Sequence, residues 1–307
     1  MKVKNLLSMV MVAGMMLVGC QNAGQVSNSS SQSQQSDQTA QEETVTKEVK
    51  VVSSTVSATT VLAELDAEVI GVPTTSQTLP TQYADLPQIG QAMSPDLEIV
   101  ASLEPDLFIV DSNFKASVEE SLSQYGLNTF FFETGSYSAF VDSIKQLGAE
   151  INREDKATKL VNEIQSSVTE ALKKKGDQNP TVAVIFGAGE NFMLATDTSY
   201  LGDLVSTLGA TNITSKLEGE MNSAYVQFSL EQVLAQNPDY VLRFAHGDIE
   251  ETIKMFDVAF DNNEAYQQLD AVKNGRVYDL DSTIFNVSAN LQITKAIEAL
   301  GEILYGN

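Results

Sequence analysis

Short apolar runs alternate with amphipathic stretches along most of the chain. Runs typical of buried strands lie at residues 49–52, 69–72, 106–110, 129–132, 182–186 and 239–244. Stretches with apolar residues three or four apart, which is the spacing of one helix face, lie at residues 57–65, 94–103, 117–125, 200–208 and 229–234. Strands that alternate with helices predict mainly parallel sheets with helices packed on their faces.

The longest helical pattern covers residues 137–175. Its apolar positions recur at helical spacing, and Pro180 lies a few residues beyond its end. Gly148 and the polar residues 152–155 weaken the middle of this stretch, which allows a bend or a break there. We therefore predict a long connecting helix between two units.

The same scheme occurs once on each side of this helix. The sequence SPDLEIVASLEPDLFIV at 94–110 and the sequence SLEQVLAQNPDYVLRF at 229–244 both contain a serine, a Leu-Glu pair, an apolar helix, Pro-Asp and a strand. Ser94 is the predicted cap of the first of these helices, with Pro95 in its first turn. The predicted architecture is a bilobal α/β fold with an N-terminal lobe (47–136), a connecting helix (137–175) and a C-terminal lobe (176–307).

The first 46 residues differ from the rest. Lys2 and Lys4 precede an apolar run at 6–18, which is short for a membrane span and typical of a secretory signal. The run ends in Leu-Val-Gly before Cys20, which resembles a bacterial lipobox. We predict a signal peptide at 1–19, a lipid on the sulfur of Cys20, and a disordered Ser/Gln/Thr-rich tether at 20–46.

Composition excludes several classes of function. The chain has 307 residues, of which 41 are acidic and 18 basic, for a net charge of −23. Loss of residues 1–19 removes two Lys and no acid, so the mature charge becomes −25. Strong acidity disfavours nucleic-acid binding. One Cys and one His cannot form a disulfide, a thiolate zinc site or a multi-histidine metal site.

The combination of lipobox, polar tether, two α/β lobes and connecting helix resembles the substrate-binding lipoproteins of ABC importers for iron siderophores, vitamin B12 and haem. The segments GQAMSPDLEIVASLEPD (90–106) and 241–281 are similar, more narrowly, to haem-receptor lipoproteins of the iron-regulated surface determinant type. The resemblance implies that a Met of one lobe and a His of the other bind haem iron as axial ligands. The matching residues are Met93 and His246, so haem is the implied ligand.

The residues themselves agree with this interpretation. His246 is the single His of the chain and comes directly after a predicted strand, where ligands of α/β sheets bind. Met93 lies in a polar loop, so a role as a core residue is a poor explanation for a methionine at this position. The rest of a haem pocket should be apolar and aromatic, and the candidates are Tyr225, Phe285 and Met193. Alternation along the strand turns Arg243 to the face opposite His246.

The resemblance also implies partners. In the siderophore and B12 binders one exposed Glu of each lobe docks into arginine pockets of the permease, and the matching residues are Glu98 and Glu231. We therefore expect a monomer anchored through Cys20 on the extracellular face of the cytoplasmic membrane of a Gram-positive bacterium. It would work with an ABC permease and its ATPase, and a surface haem-donor protein could supply its ligand.

Other functions stay open at this point. A receptor for ferric siderophores is the alternative. The chain has three Arg, which weighs against anionic catecholates and less against neutral hydroxamates. An enzyme is not expected, because the sequence contains neither a Gly-x-Ser-x-Gly elbow nor a dinucleotide-binding glycine loop. An adhesin or structural surface protein would not require Met93 and His246 to converge.

Overall fold

The computed structural model describes residues 47–217, 223–261 and 263–306. The predictions of a signal peptide at 1–19, of lipid on Cys20 and of a tether at 20–46 lie outside the described residues. The described residues belong to one compact unit. Its secondary structure is mixed α/β, as the alternation of apolar runs and helical stretches predicts.

The first lobe is built on a parallel sheet with the strand order β2–β1–β5–β6. A two-strand hairpin, β3–β4, lies outside this sheet. The strands are β1 (Lys50–Ser53), β2 (Glu68–Gly71), β3 (Gly90–Gln91), β4 (Ser94–Pro95), β5 (Leu107–Asp111) and β6 (Thr129–Phe132). The helices are α1 (Val56–Glu64), α2 (Leu97–Ser102) and α3 (Lys115–Tyr125). The predicted strands and helices of this lobe are confirmed, with small shifts at their ends.

The start of α2 differs from the prediction, because Ser94 is not its cap. The carboxylate of Asp96 accepts hydrogen bonds from the backbone N–H groups of Glu98 and Ile99, both at 3.1 Å. Asp is as good an N-cap as Ser, and here it satisfies two donors of the first turn. Ser94 is left free to pair with Gln91 in the β3–β4 hairpin.

The second lobe is built on a mixed sheet with the order β10–β8–β7–β11–β12, and β9 also pairs with β7. β7 pairs in parallel with β9 and β11, and β11 pairs in parallel with β12. β8 pairs antiparallel with both β7 and β10. The strands are β7 (Thr181–Ala188), β8 (Asn191–Ala195), β9 (Thr211–Asn212), β10 (Tyr225–Gln227), β11 (Tyr240–Ala245) and β12 (Val277–Asp279). The helices are α6 (Tyr200–Thr207), α7 (Leu230–Gln236), α8 (Ile249–Phe256), α9 (Asp270–Lys273) and α10 (Ile293–Tyr305).

The connecting helix predicted at 137–175 is broken in its middle, where the sequence allows a bend or a break, so that the structure has two helices there. They are α4 (Tyr137–Glu150) and α5 (Glu154–Lys175). The chain breaks at Asn152, which adopts the left-handed conformation with φ +56°. Asn is among the residues that tolerate this conformation best. Gly148 lies against Ala157, so the absence of a side chain lets the two helices meet closely.

The two lobes are joined by packing as well as by the chain. One hydrophobic core contains Val51 and Ile109 of the first sheet together with Val184 and Phe244 of the second. Two hydrogen bonds at Ala289 cross between the lobes. The Ser57 hydroxyl donates to the Ala289 carbonyl at 2.9 Å, and the Ala289 N–H donates to the Thr134 carbonyl at 2.8 Å. The lobes therefore form a continuous structure.

Asp203 of α6 contacts the N-terminus of α4 across this junction. Its carboxylate accepts the Tyr137 N–H at 2.7 Å. Burial raises the pKa of Asp203, and the neighbouring Asp197 raises it further, whereas the backbone N–H groups of Tyr137 and Ser138 oppose the change. The folded protein thus binds a proton at Asp203 more tightly than the unfolded chain does.

This raised pKa has a testable consequence for stability. A raised carboxyl pKa stabilises the fold below the unfolded-state pKa, and that contribution is lost as pH rises through the folded-state pKa. We expect the free energy of unfolding of wild type, relative to Asp203→Asn, to increase from pH 7 to about pH 4. Urea unfolding of both proteins at the two pH values measures this difference. The other carboxyl groups titrate in both proteins, so their contributions cancel in the comparison. A difference that does not change with pH would contradict the assignment.

Candidate functional site

One face of the second sheet carries a group of aromatic rings, which we call the aromatic wall: Phe186, Tyr225, Phe244 and His246. The ring of Phe186 is central, with centroid distances of 4.8 Å to Tyr225, 5.8 Å to Phe244 and 5.9 Å to His246. The β7–β11 register places Phe186 beside Phe244, and side chains two residues apart on a strand point the same way. His246 therefore extends this face just beyond the end of β11.

His246 is held by its backbone and exposed at its side chain. Its N–H donates to the Gly187 carbonyl at 2.9 Å, which continues the β7–β11 pairing by one residue. Gly247 follows in the left-handed conformation, φ +80°, and the chain turns away. The imidazole ring lies at 33° to the Phe186 ring. An exposed imidazole against an aromatic ring can bind a metal on its open side.

Met193 borders the wall and Tyr225 forms part of it, as strands β8 and β10 place them there. Met193 is opposite Phe186 in the antiparallel β7–β8 pair, so the two side chains share a face. Both Met193 and Tyr225 are half-buried. Burial raises the pKa of Tyr225 to about 12, so its phenol stays protonated at neutral pH. It can therefore form part of a wall or donate a hydrogen bond, but it is poorly suited to act as a phenolate ligand.

Phe285 has a different environment from the one expected for a pocket residue. Its side chain is 2% exposed and belongs to the main hydrophobic core. Its neighbours Ser282, Thr283 and Asn286 line a cavity that is described below. Phe285 thus anchors a segment of the cavity wall from behind.

Arg243 is on the opposite face of β11, as alternation predicts. Its guanidinium forms two hydrogen bonds to the Asp279 carboxylate, at 2.7 and 2.6 Å, and one to Asp257 at 3.0 Å. It also lies over the ring of Phe256, 5.4 Å from the centroid. These contacts bind the end of β11 to β12 and to α8.

Met93 lies at the tip of the β3–β4 hairpin of the first lobe. The hairpin is held by the Asp96 N–H, which donates to the Ile89 carbonyl at 2.7 Å, and by the Thr74 N–H, which donates to Gly90 at 2.8 Å. Gly90 has φ +94°, which a glycine adopts without strain. The Met93 side chain is 68% exposed. An exposed thioether at the tip of a hydrogen-bonded hairpin is available to a ligand.

A cavity of about 640 Å³ lies where the first sheet ends. Residues after β1, β2 and β5 line one side, and residues 282–292 of the second lobe line another. Most of the lining groups are hydroxyls and amides, from Thr55, Ser57, Thr60, Thr74, Thr75, Gln77, Thr78, Ser282, Thr283, Asn286, Ser288, Asn290 and Gln292. Of the described residues, those that line the cavity include no Lys, Arg or His. It is a polar site without a basic side chain.

One lining residue is acidic, and another is the N-cap of a helix. The Asp111 carboxylate accepts hydrogen bonds from Asn113 (2.8 and 2.9 Å) and from the Thr134 hydroxyl (2.7 Å). Thr55 is the N-cap of α1, and its hydroxyl accepts the Ala58 N–H at 3.3 Å. The positive end of the α1 dipole therefore opens toward the cavity.

The predicted site residues form two groups. The structure brings His246, Tyr225 and Met193 together around Phe186, whereas Met93 lies on the other lobe. None of these four lines the cavity, but Ala92, next to Met93, does. Sequence reasoning missed Phe186 and the hydroxyl groups after β1 and β2, although both follow from the rule that identified His246, namely position at a strand's carboxyl end.

Glu98 and Glu231 are both exposed in the first turns of their helices, α2 and α7. Each follows an N-cap, Asp96 in the first lobe and Ser229 in the second. The repeat in the sequence thus becomes a repeated surface feature, one carboxylate on each lobe.

Within residues 47–217, 223–261 and 263–306, no three or more His, Cys, Asp or Glu side chains are grouped so as to hold a metal ion. Over the same ranges, none of the helices has both the length and the apolar character needed to cross a membrane.

Comparisons with known proteins agree with this architecture. A family model described as "Periplasmic binding protein" matches residues 31–284. The chain is 32% identical over 308 residues to the "High-affinity heme uptake system protein IsdE" of Staphylococcus aureus, and the match covers 99% of both. Its fold is similar to a crystal structure of an ABC transporter substrate-binding protein from Listeria monocytogenes (TM-score 0.76, 34% identity, 85% of this chain and 100% of that one). It is also similar to the structure of S. aureus IsdE complexed with haem (TM-score 0.72, 34% identity, 84% and 100%).

Proposed function

Because this chain belongs to the periplasmic binding protein family, we propose that it is a cell-surface receptor that binds haem between its lobes and delivers it to an ABC permease for iron uptake. The family is one of substrate-binding transport proteins and not of enzymes. We assign the two axial positions of the haem iron to Met93 and His246.

The observation that carries the proposal is the environment of His246. The single His of the chain is exposed at a strand end and lies against Phe186 within the aromatic wall. Phe186 and Phe244 are buried in the main core. His246, Tyr225 and Met193 therefore offer the accessible surface to a flat apolar macrocycle. The iron of that macrocycle needs one or two ligands from outside the ring plane. Haem supplies four nitrogens itself, so a protein poor in nitrogen ligands can still bind its iron.

The chemistry and the exposure of Met93 support its assignment to the second axial position. Met93 belongs to the other lobe and is exposed, and it lies next to Ala92 of the polar cavity. A thioether and an imidazole are both neutral, and this pair occurs as axial ligands in cytochromes. Tyr225 and Met193 would border the macrocycle, and Phe285 would support the loop opposite from within the core.

The polar cavity offers hydrogen-bond donors to the carboxylate edge of haem, and Asp111 is the one acidic residue in its lining. The α1 N-terminus and the surrounding hydroxyls offer hydrogen-bond donors to carboxylates without a basic side chain. Binding of an anionic ferric siderophore ordinarily uses clustered cations. Arg243 is paired with Asp279, and Arg153 with Glu48 on the surface. These observations weigh against a catecholate.

Titration with ferric haem, followed by visible absorbance, tests the proposal. Wild type should develop a Soret band that differs from that of free haem, and replacement of His246 should weaken and shift it. The second candidate function, binding of a ferric siderophore, is tested by titrating the ligand-free, colourless protein with a ferric hydroxamate. That candidate is favoured by one observation, because hydroxyl and amide groups that line a cavity of about 640 Å³ can hold a neutral hydroxamate.

Docking on the permease is assigned to Glu98 and Glu231, one on each lobe. Both are exposed, and the protein has a net charge of −23. Steering of an acidic protein toward a basic partner is physically reasonable. The partners proposed are the permease with its ATPase and a surface protein that donates haem, and the receptor is proposed to act as a monomer.

Anchoring through Cys20 is proposed from the sequence alone. A protein released by a signal peptidase with lipid on Cys20 stays at the extracellular face of the cytoplasmic membrane, since two acyl chains hold it there stably. We expect Cys20→Ala protein to appear in the culture medium, because it lacks the attachment site for lipid. Immunoblots of membrane and medium fractions measure this. If Cys20→Ala protein were divided between membrane and medium as wild type is, the anchor would not depend on Cys20.

A further inference from the structure

Thr252 is a buried polar residue of α8 that contacts the segment carrying His246. Its side chain is 0% exposed. The hydroxyl accepts the Gly189 N–H at 3.0 Å and donates to the His246 carbonyl at 3.4 Å. One hydroxyl thus links α8 with the chain segments that leave β7 and β11.

This use of a hydroxyl is unusual within a helix. Ser and Thr side chains in helices commonly donate to a carbonyl of the preceding turn of their own helix. Ser102 and Thr169 do so in this protein, to Ile99 (2.7 Å) and Gln165 (3.0 Å). Thr252 instead bonds to groups outside α8, so its hydroxyl holds loops in place.

The backbone around His246 is tightly packed against α8. Gly187 accepts the His246 N–H, and a Cβ on Gly187 would lie 2.6 Å from Phe256 Cζ and 2.9 Å from Thr252 Cγ2. The glycine therefore allows α8 to approach the end of β7. His246 is held at its N–H by Gly187 and at its carbonyl by Thr252, while its ring lies against Phe186.

We propose that Thr252 is a positioning residue for the imidazole of His246, an inference that rests on the proposed function above. Gly247, directly after His246, is exposed and has left-handed backbone, and the chain is next held at Asp248, whose carboxylate accepts the Glu251 N–H at 3.1 Å as the N-cap of α8. A ligand whose backbone is fixed before haem arrives loses less freedom when it binds iron. Thr252 acts through His246 and is not assigned any contact with haem.

The test compares Thr252→Val with wild type. Valine keeps the shape of the side chain and removes the hydroxyl, so we expect ferric haem binding to weaken about fivefold, the effect of one hydrogen bond. The Soret band of the bound form should also change, because the imidazole is less well held. Thr252→Ser restores the hydroxyl and should restore the wild-type spectrum. If valine prevents folding, Thr252→Ala and Thr252→Ser give the same comparison in a smaller side chain.

Thr214 offers a matched control in the same lobe. It is also buried, and its hydroxyl has no hydrogen-bond partner in the part of the chain that the structure describes. Thr214→Val should leave haem affinity and spectrum unchanged, which separates positioning from the general loss of a buried hydroxyl.

The His246→Ala background distinguishes this inference from the proposed function. If Thr252 acts through His246, Thr252→Val should have no further effect on haem binding once His246 is absent. If Thr252→Val lowers haem affinity equally in the wild-type and His246→Ala backgrounds, the inference is overturned. It is also overturned if Thr252→Val has wild-type haem affinity and spectrum while His246→Ala is impaired. Wild-type behaviour of His246→Ala itself would overturn the proposed function, and this inference with it.

Discussion

The His246→Ala variant is expected to bind ferric haem about 100-fold more weakly than wild type, with a shifted Soret band. Loss of a group that merely supports a metal ligand costs 10–100-fold in affinity, so loss of the ligand itself should reach the upper end of that range. Absorbance titration of purified protein measures both the dissociation constant and the spectrum.

Met93→Ala should give a smaller effect of a different kind. A single neutral thioether contributes less than the imidazole, and the variant should keep His-ligated iron with an open or water-filled sixth position. Its spectrum should therefore differ both from wild type and from His246→Ala. Met255→Ala is a control, because Met255 is a half-buried thioether of α8 outside the proposed site.

Stability should not confuse these results. His246 and Met93 are both exposed, so their removal opens no core cavity, and surface substitutions usually change stability little. Thermal melting of the ligand-free proteins checks this. If His246→Ala bound haem with unchanged affinity and spectrum, the axial assignment would be wrong, and a ferric hydroxamate would become the ligand to test.

Reversal of charge at both docking positions is expected to stop uptake. The double variant Glu98→Lys/Glu231→Lys should support no more haem-dependent growth than cells that lack the receptor. Two repelling lysines would then face the basic sites of the permease, and like charges across an interface cost several kcal/mol. Haem affinity of the purified variant should remain at the wild-type value, since neither residue lines the cavity or the aromatic wall.

Two other exposed glutamates supply a matched control. Glu120 of α3 and Glu298 of α10 are exposed on the first and second lobes. Their double reversal changes the net charge of the protein by the same amount without touching α2 or α7. It should leave uptake near wild type. Normal uptake by the Glu98/Glu231 variant, or equal loss in both double variants, would refute specific docking at these two helices.

The order of strands and helices was readable from the sequence because each element carries a local signal. The buried runs at 129–132 and 182–186 became β6 and the main part of β7. The position of His246 beyond a strand end followed from the same local pattern. Signals that compete within a few residues were harder to resolve, as at Ser94 and Asp96, where two good caps lie two residues apart.

Contacts between distant parts of the chain could be found only from the tertiary structure. Strand β8 pairs antiparallel with both β7 and β10, and these two pairings bring Met193 and Tyr225 to Phe186. The two-helix connection likewise depends on how closely Gly148 and Ala157 pack.

The sequence by itself determined the α/β type, the two-lobed repeat and the residue types suited to haem. Only the tertiary structure decided which rings surround His246, that Phe285 lies in the core, and that hydroxyl groups rather than cations line the cavity. The physical reason is that strand and helix signals arise from neighbours along the chain. A site is formed instead by side chains far apart in sequence, whose meeting depends on sheet order, register and helix packing.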